Sequence, residues 1–302
     1  MSEELRVAIV GLDTSHSIAF SQRMNDPACP ADQKVPGLRV TACMRFETPF
    51  QNKEGLDKRQ AQLEGWGIVV SENFDEVVAD CDAIMLEIND PAYHLEYFRR
   101  AAELGKPIFL DKPLAGTLED GRAIVRLARE KKVRVWSGSS LPFTPQVLDA
   151  ADRLAKPTVA QTFGAMGTAP AGDSLVWYGV HTFEMLQRLM GPGAESAWAV
   201  EDEAGVVAVI EYGEGRRGLV EAVRGMWQYG GRVQAKEGMV QFQVDMTYAY
   251  RDLLLRIRDF FQGGPAPVTL EQSFEGLAMM IAARQSIESG GSAPVARLEG
   301  AE

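Results

Sequence analysis

The turn at residues 11–16 carries residue types that could bind an anionic group. Its sequence is Gly11-Leu12-Asp13-Thr14-Ser15-His16, directly after an apolar run. Against the phosphate-binding pattern G-x-G-x-x-G, the first glycine is present, while Asp13 and His16 replace the second and third. A helix that begins here offers backbone N–H groups, together with the hydroxyls of Thr14 and Ser15, to a phosphate. The turn therefore indicates a modified dinucleotide-binding loop.

Two other interpretations of this turn stay open. Asp13 brings a side chain and a negative charge to the place where a pyrophosphate would approach the backbone most closely. In the second interpretation no dinucleotide binds, and Asp13 caps the following helix. In the third, Asp13 and His16 bind a metal ion. Two ligands at this spacing are a weak signal, so no metal site is predicted.

A basic residue near the end of the second strand bears on the choice of cofactor. In dinucleotide-binding domains this place carries an acidic residue for NAD or a basic one for NADP. Here the strand ends in Cys43-Met44-Arg45-Phe46. We therefore expect NAD or NADP as the cofactor, with NADP slightly favoured through Arg45. A solvated arginine at a strand end is the alternative.

The elements that would position these residues alternate along the first 140 residues. Short apolar runs at 5–10, 38–44, 68–70, 82–88, 107–110 and 133–137 are separated by helical stretches. Strands that alternate with helices form right-handed crossovers and a parallel sheet. We therefore predict a Rossmann-type, doubly wound α/β domain at residues 1–140.

The pattern changes from about residue 141 onward. Strand-like runs now follow one another with glycine-containing turns between them, which favours an antiparallel sheet. A helix at 178–190 interrupts the strands, and helices at 248–261 and 270–288 follow them. We predict a second, α+β domain at residues 141–302, with a mostly antiparallel sheet that serves substrate binding and oligomerisation.

Several motifs in residues 86–115 and 178–184 occur together. Pro91, His94, Gly105-Lys106 and Asp111-Lys112-Pro113 follow one another in the first segment, and the second reads Tyr178-Gly-Val-His-Thr-Phe-Glu184. This combination closely resembles the Gfo/Idh/MocA family of oxidoreductases. The resemblance extends over nearly the whole chain.

The resemblance implies an NAD(P)-dependent oxidoreductase that acts on the CH–OH groups of sugar-like or polyol-like molecules. It assigns Lys112 to the reacting oxygen and His181 to proton transfer, roles that suit a cation and a group titrating near neutral pH. It also implies that Asn89, Pro91, His94 and Asp111 lie on the cofactor side. For His94, packing or capping is the alternative.

The substrate side departs from the family's pattern. The family often has an aspartate four residues before the catalytic histidine, and Trp177 stands there in this chain. Asp173 and Glu184 are the candidates to replace that carboxylate, and Trp177 offers a face on which a sugar ring could stack. A family member without dehydrogenase activity, acting as a ligand-binding or regulatory protein, is the alternative function. A metal-dependent lyase or hydrolase using Asp13, His16 and His181 is a weaker one.

Composition and charge restrict the partners. The 302 residues carry 31 Lys and Arg against 42 Asp and Glu, a net charge of −11, which disfavours nucleic acid and anionic membranes. The three cysteines suggest no disulfide framework, and the N-terminus lacks the pattern of a signal peptide. We expect a cytoplasmic homodimer or homotetramer acting on a small molecule.

Overall fold

The computed structural model describes residues 4–154 and 156–298, which form two compact units. The first unit contains residues 1–114, 123–138 and 250–270, and the second contains the rest. The sequence predicts one boundary near residue 140, whereas this division is discontinuous along the chain. Residues 115–122 belong to the second unit, and residues 250–270 belong to the first.

The first unit is built on a parallel sheet of six strands. Their order is β3-β2-β1-β4-β5-β6, and every neighbouring pair is parallel. The strands are β1 (Leu5–Val10), β2 (Leu38–Met44), β3 (Val69–Ser71), β4 (Ala83–Leu86), β5 (Ile108–Asp111) and β6 (Val135–Gly138). This order confirms the predicted doubly wound α/β fold. The order reverses between β1 and β4, so ligands of such a sheet bind beyond the carboxyl ends of these strands.

Among the described residues, six α-helices accompany this sheet, and the first five lie in the helical stretches predicted between the strands. They are α1 (His16–Asn25), α2 (Lys53–Gly65), α3 (Phe74–Val78), α4 (His94–Ala102), α5 (Leu118–Lys131) and α8 (Ala249–Phe261). The apolar residues of β1, β4 and β5 are almost completely buried, as expected for strands covered on both faces. The buried strands hold the turns at their carboxyl ends in fixed positions.

The second unit contains a sheet of seven strands, in the order β12-β11-β7-β10-β9-β8-β13. The strands are β7 (Val159–Met166), β8 (Ser196–Glu201), β9 (Gly205–Tyr212), β10 (Arg216–Arg224), β11 (Gly230–Ala235), β12 (Gly238–Gln243) and β13 (Ala293–Pro294). The described pairs are antiparallel except β10 with β7, which confirms a mostly antiparallel sheet. The parallel pair was not predicted. It joins strands that are distant in the chain and leaves no local turn signal.

One face of this second sheet is covered by α7 (Val180–Met190), with α6 (Pro145–Arg153) and α9 (Leu270–Ser289) completing the unit's helices. Gly164 lets α7 approach β7, because a Cβ there would lie 2.8 Å from the Thr182 side chain. The hydroxyl of Thr162 donates to the carbonyl of Thr182 at 3.0 Å. These contacts hold the start of α7 against the sheet.

Within the described ranges, no helix combines the length and the apolar character needed to span a membrane.

Candidate active site

The turn after β1 requires a glycine at its first position. Gly11 has a φ of +111°, and a Cβ added there would lie 2.2 Å from the carbonyl oxygen of Glu87 on the neighbouring chain segment. Any side chain would force the ends of β1 and β4 apart. The first residue of the G-x-G-x-x-G pattern is therefore retained for a steric reason.

The side chain of Asp13 is buried and forms hydrogen bonds between this turn and the segment that follows β4. Its Oδ1 accepts the N–H of Asn89 at 2.9 Å, and its Oδ2 accepts the N–H of Asp90 at 3.3 Å. The hydroxyl of Thr48 donates to the same Oδ2 at 2.9 Å. Burial raises the pKa of Asp13, and these three donors act in the opposite direction. The interpretation that Asp13 caps α1 is wrong, because its carboxylate is used by these other donors.

The N-terminus of α1 is arranged as an anion site would require. Ser15 is the N-cap residue and is exposed, and its side chain makes no capping hydrogen bond. Thr14 is buried, and its hydroxyl accepts the N–H of His16 at 3.2 Å. Ser15 and the first turn of α1 are thus accessible to a phosphate, whereas the Thr14 hydroxyl has a local partner.

His16 turns inward from the start of α1 and contacts residues at the ends of β4 and β5. Its Nδ1–H donates to Oδ2 of Asp111 at 2.8 Å and lies 3.9 Å from Oε2 of Glu87. The ring also stacks on Phe20 and meets Tyr250 edge-on, with centroids 5.1 and 5.2 Å away. The third position of the pattern therefore holds a side chain that closes a buried group of polar residues.

The two carboxylates of this group have opposite pKa shifts. Burial raises the pKa of Glu87 well above its usual range, and the neighbouring Asp111 carboxylate raises it further. Burial also acts to raise the pKa of Asp111, but His16 and Lys112 outweigh it and hold that pKa below its usual range. Asp111 is therefore the ionised member of the pair, and Glu87 holds the proton when the group contains no other cation.

Lys112 lies where a catalytic cation is expected, at the residue after β5. It is 3% exposed, and its Nζ lies 3.6 Å from Oδ2 of Asp111. A buried ammonium beside one carboxylate is held in a defined place while keeping N–H groups to donate. This structure places Lys112 at the carboxyl edge of the parallel sheet, beside Asp111 and His16.

Three further residues predicted on the cofactor side follow β4. The N–H of Asn89 is the donor to Asp13, and Pro91 is buried in a short 3-10 turn. His94 is fully buried at the start of α4, and its Nε2–H donates to the carbonyl of Ile88 at 2.8 Å. Burial lowers the pKa of His94. Its ring fixes the turn after β4, which agrees with the packing alternative.

Arg45 lines a pocket of about 360 Å³ at the end of β2, together with Phe46, Glu47 and Glu72. Its guanidinium is already paired, with Nη2 2.8 Å from the carboxylate of Asp57 and Nε 4.0 Å from that of Glu72. These carboxylates would repel a 2′-phosphate. The structural basis for preferring NADP is therefore weaker than the sequence indicated.

The second unit places His181 among aromatic side chains. Residues Leu175–Gly179 form a π-helical turn directly before α7, an irregularity frequent at functional sites. His181 meets Tyr178 and Tyr229 edge-on, with centroids 5.2 and 5.9 Å away. Tyr178 in turn contacts Trp177 at 5.0 Å and Trp227 at 5.8 Å. We call Trp177, Tyr178, Trp227 and Tyr229 the aromatic cluster.

The two carboxylates predicted on the substrate side are engaged by protein donors. Asp173 pairs with Arg284 at 2.6 Å and accepts the N–H of Leu175 at 2.7 Å. Glu184 accepts the N–H of Ser139 at 2.7 Å. Trp177 is half-buried, and its ring packs against Gly167. Of the three, only Trp177 offers an uncharged face.

Sequence reasoning missed Glu87 and two members of the aromatic cluster, Trp227 and Tyr229. Glu87 had a signal, since it is the one charge in the run Ala83-Ile-Met-Leu-Glu-Ile88. Trp227 and Tyr229 had none, because they lie far from His181 in the chain and only the sheet brings Tyr229 beside it.

Comparisons with known proteins give the family and the fold that this chain is similar to. The model of Gfo/Idh/MocA, an oxidoreductase family with an NAD-binding Rossmann fold, matches residues 51–139. The chain is 26% identical over 252 residues to scyllo-inositol 2-dehydrogenase (NAD(+)) of Bacillus subtilis, which covers 74% of this chain and 68% of that protein.

Solved structures show the same fold over almost the full length. The scyllo-inositol dehydrogenase of Lactobacillus casei, solved with NAD(H) and scyllo-inositol, has a TM-score of 0.80 at 14% identity, covering 97% of this chain and 99% of that one. A myo-inositol dehydrogenase of Corynebacterium glutamicum has a TM-score of 0.78 at 16% identity, covering 97% and 99%. The resemblance to Gfo/Idh/MocA oxidoreductases that the motifs indicate is found again in the family match over residues 51–139 and in the Bacillus subtilis relative, and the solved structures share the fold.

Proposed function

We propose that this chain, as a relative of the Gfo/Idh/MocA oxidoreductases, transfers a hydride between a nicotinamide cofactor and a CH–OH group of a sugar-like or polyol-like molecule. The observation that carries the proposal is the buried Lys112 ammonium, held beside Asp111 after β5. The relatives named as inositol dehydrogenases support the same reaction class.

The residues after β1 suit a dinucleotide although Asp13 and His16 replace two glycines of the pattern. Gly11 keeps the tight turn, and the first turn of α1 beyond Ser15 is open to a pyrophosphate. The Asp13 charge is directed toward its three donors, which reduces its repulsion of phosphate. The pocket beside Arg45 would receive the adenosine. The bound nicotinamide would supply the hydride acceptor or donor.

The chain's own groups would handle the substrate's oxygen and proton. Lys112 donates a hydrogen bond to the reacting oxygen and stabilises the negative charge that develops on it. Asp111 keeps the ammonium in position at 3.6 Å. His181 takes the hydroxyl proton during oxidation and returns it during reduction, because an imidazole changes protonation near neutral pH.

The aromatic cluster favours a ring-shaped polyol over a charged substrate. Trp227 is 68% exposed and Trp177 and Tyr178 are half-buried, so the cluster presents uncharged aromatic surface near His181. The C–H faces of a sugar or cyclitol ring can pack on such surfaces, while the hydroxyls hydrogen-bond at the rim. Asp173 and Glu184 would act by holding the π-helical turn and α7 in place.

Replacement of Lys112 tests this assignment directly. In Lys112→Met we expect turnover of the best substrate from a screen of sugars and cyclitols to fall by about 100-fold to 1,000-fold, as when an oxyanion donor is removed. The dissociation constant for NADH should change little. Lys58→Met is the matched control, because Lys58 is exposed on α2 and pairs only locally with Glu54. Unchanged turnover in Lys112→Met would contradict the assignment.

The alternative function is a ligand-binding or regulatory protein without dehydrogenase activity. A titration with NADH and NADPH, followed by nicotinamide fluorescence, distinguishes the two. Micromolar binding of either supports the oxidoreductase. Since Arg45 is paired with Asp57, we expect NADH to bind at least as tightly as NADPH. Absence of binding by both reduced and oxidised forms favours the alternative.

We also propose that the chain assembles as a homodimer or homotetramer through the second sheet. Trp198 and Val200 on β8 and Val207 on β9 are 42–47% exposed and lie on one face. An exposed apolar strip of this kind is typical of an interface. Light scattering of the purified protein gives the number of subunits.

A further inference from the structure

Three potential metal ligands from distant parts of the chain converge in the first unit. His16 begins α1, Glu87 follows β4, and Asp111 ends β5. One ligand atom from each lies within 4.8 Å of the other two. We call these residues the carboxylate–histidine cluster. Ligand atoms that bind one ion at 2.0–2.2 Å are at most about 4.4 Å apart, so this imidazole and these two carboxylates need only a small side-chain movement to bind a single ion.

The oxygens of this cluster lack the partners that buried oxygens normally have. Among the described residues, neither Oε1 nor Oε2 of Glu87 has a hydrogen-bond donor, and Oδ1 of Asp111 has none either. Both side chains are 0% exposed. Buried carboxyl oxygens without hydrogen-bond partners are unfavourable, so these unpartnered oxygens in one cluster indicate a missing group.

The imidazole and the two carboxyl groups of the cluster are metal-ligand types, so they indicate that the missing group is a cation. In the described part of the chain, the ammonium of Lys112 lies within ion-pair distance of the cluster. Its Nζ is 3.6 Å from Asp111. Without a metal, this ammonium pairs with the ionised Asp111 and Glu87 keeps its proton. A divalent ion that replaces the Glu87 proton and the hydrogen between His16 Nδ1 and Asp111 would bind the unpartnered oxygens.

We propose that His16, Glu87 and Asp111 bind one divalent transition-metal ion next to Lys112. The imidazole ligand favours zinc or a neighbouring first-row ion over magnesium, which prefers oxygen ligands and water. Three protein ligands leave a coordination position for water or an oxygen of a bound molecule. Access is from the side of His16, whose side chain is 11% exposed while both carboxylates are enclosed.

Zinc titration of the full chain, after treatment with a chelator and its removal, tests the proposal. We expect one equivalent of Zn²⁺ to bind by calorimetry and to raise the unfolding temperature. Glu87→Gln, which keeps the shape of the side chain, and His16→Gln should each weaken zinc binding by about 100-fold or more, since each removes a ligand. His181→Gln is the control, because it removes an imidazole outside the cluster and should keep the full equivalent.

Two results would overturn the metal site. One is the absence of a bound equivalent in the unmodified protein. The other is zinc affinity in both Glu87→Gln and His16→Gln equal to that of the unmodified protein. Far-UV circular dichroism of the metal-free variants verifies that they are folded, and two substitutions in different elements guard against one that fails to fold. NADH binding, measured separately, keeps a failure of the oxidoreductase proposal distinct from a failure of the metal site.

Discussion

Replacing Asp13 by asparagine should destabilise the first unit although the side chain keeps its shape. In the structure, Oδ1 accepts from the N–H of Asn89, and Oδ2 accepts from the N–H of Asp90 and from the Thr48 hydroxyl. An asparagine has one oxygen and one NH₂ group. If the oxygen still accepts the N–H of Asn89, the NH₂ group faces the N–H of Asp90. Two donors cannot form a hydrogen bond with each other.

The magnitude follows from that single lost hydrogen bond. The Thr48 hydroxyl can rotate and accept from the new NH₂ group, so its bond is retained. The N–H of Asp90 is left without its acceptor, and a buried donor without a partner costs about 1–3 kcal/mol. Because burial raises the pKa of Asp13, removing its charge relieves part of the desolvation cost. We therefore expect a loss of about 1–2 kcal/mol in the free energy of unfolding.

Urea unfolding, followed by circular dichroism, measures this loss as a lower midpoint at an unchanged slope. Asp90→Asn is the matched control, because Asp90 is similarly buried but its Oδ1 accepts only the N–H of Ala92, at 3.0 Å, among the described contacts. Asparagine caps helices about as well as aspartate. The free energy of unfolding of this variant should therefore lie within about 0.5 kcal/mol of that of the unmodified protein. Equal stabilities of the two variants would refute the reasoning.

Two further predictions concern the same region. Gly11→Ala should lower the free energy of unfolding by more than about 2 kcal/mol, because the positive φ alone costs about 1–2 kcal/mol and the Cβ meets the Glu87 carbonyl at 2.2 Å. Gly65→Ala, whose Cβ meets nothing within 4 Å, should leave the urea midpoint unchanged or raise it, and a similar loss in both variants would argue against the steric explanation. For His94, burial makes the folded pKa lower than the unfolded one, so the unfolded chain binds the proton more tightly. The contribution of neutral His94 to the free energy of unfolding is fully present above about pH 6.5. It declines as the pH falls through that value, by up to about 1.4 kcal/mol per pH unit. The urea midpoint of His94→Gln should lose this part of the pH dependence, and an unchanged pH profile would show that His94 does not cause it.

The fold was predictable because the hydrophobic pattern of each element reports its environment. Continuous apolar runs such as residues 7–10 and Ala83–Leu86 are found in strands buried on both faces, and here they form the centre of the parallel sheet. In the second unit, burial alternates along Gly205–Tyr212, as expected for a sheet with one covered face, although the sequence there is apolar at nearly every position. The π-helical turn at Leu175–Gly179 was not predictable, because its five residues have the composition of an ordinary helix start.

The candidate site was predictable in its residue types more than in its arrangement. Lys112 and Gly11 lie at strand ends as the motifs indicated. The sequence places Asp13 and His16 in one turn, and one interpretation of that turn joined them in a single metal site. The structure directs their side chains to different partners, Asp13 to the N–H groups after β4 and His16 to Asp111. Backbone spacing in a turn does not determine where two neighbouring side chains point.

The sequence alone determined the alternation of elements, the family resemblance and the glycine that the first turn requires. These three features depend on local pattern and on residue type, and both can be read from the sequence. Only the tertiary structure decided that His16, Glu87 and Asp111 meet, since they come from three elements separated by up to 95 positions. Parallel strands bring their carboxyl ends to one edge of the sheet, and the charges that collect there depend on strand order and not on distance along the chain.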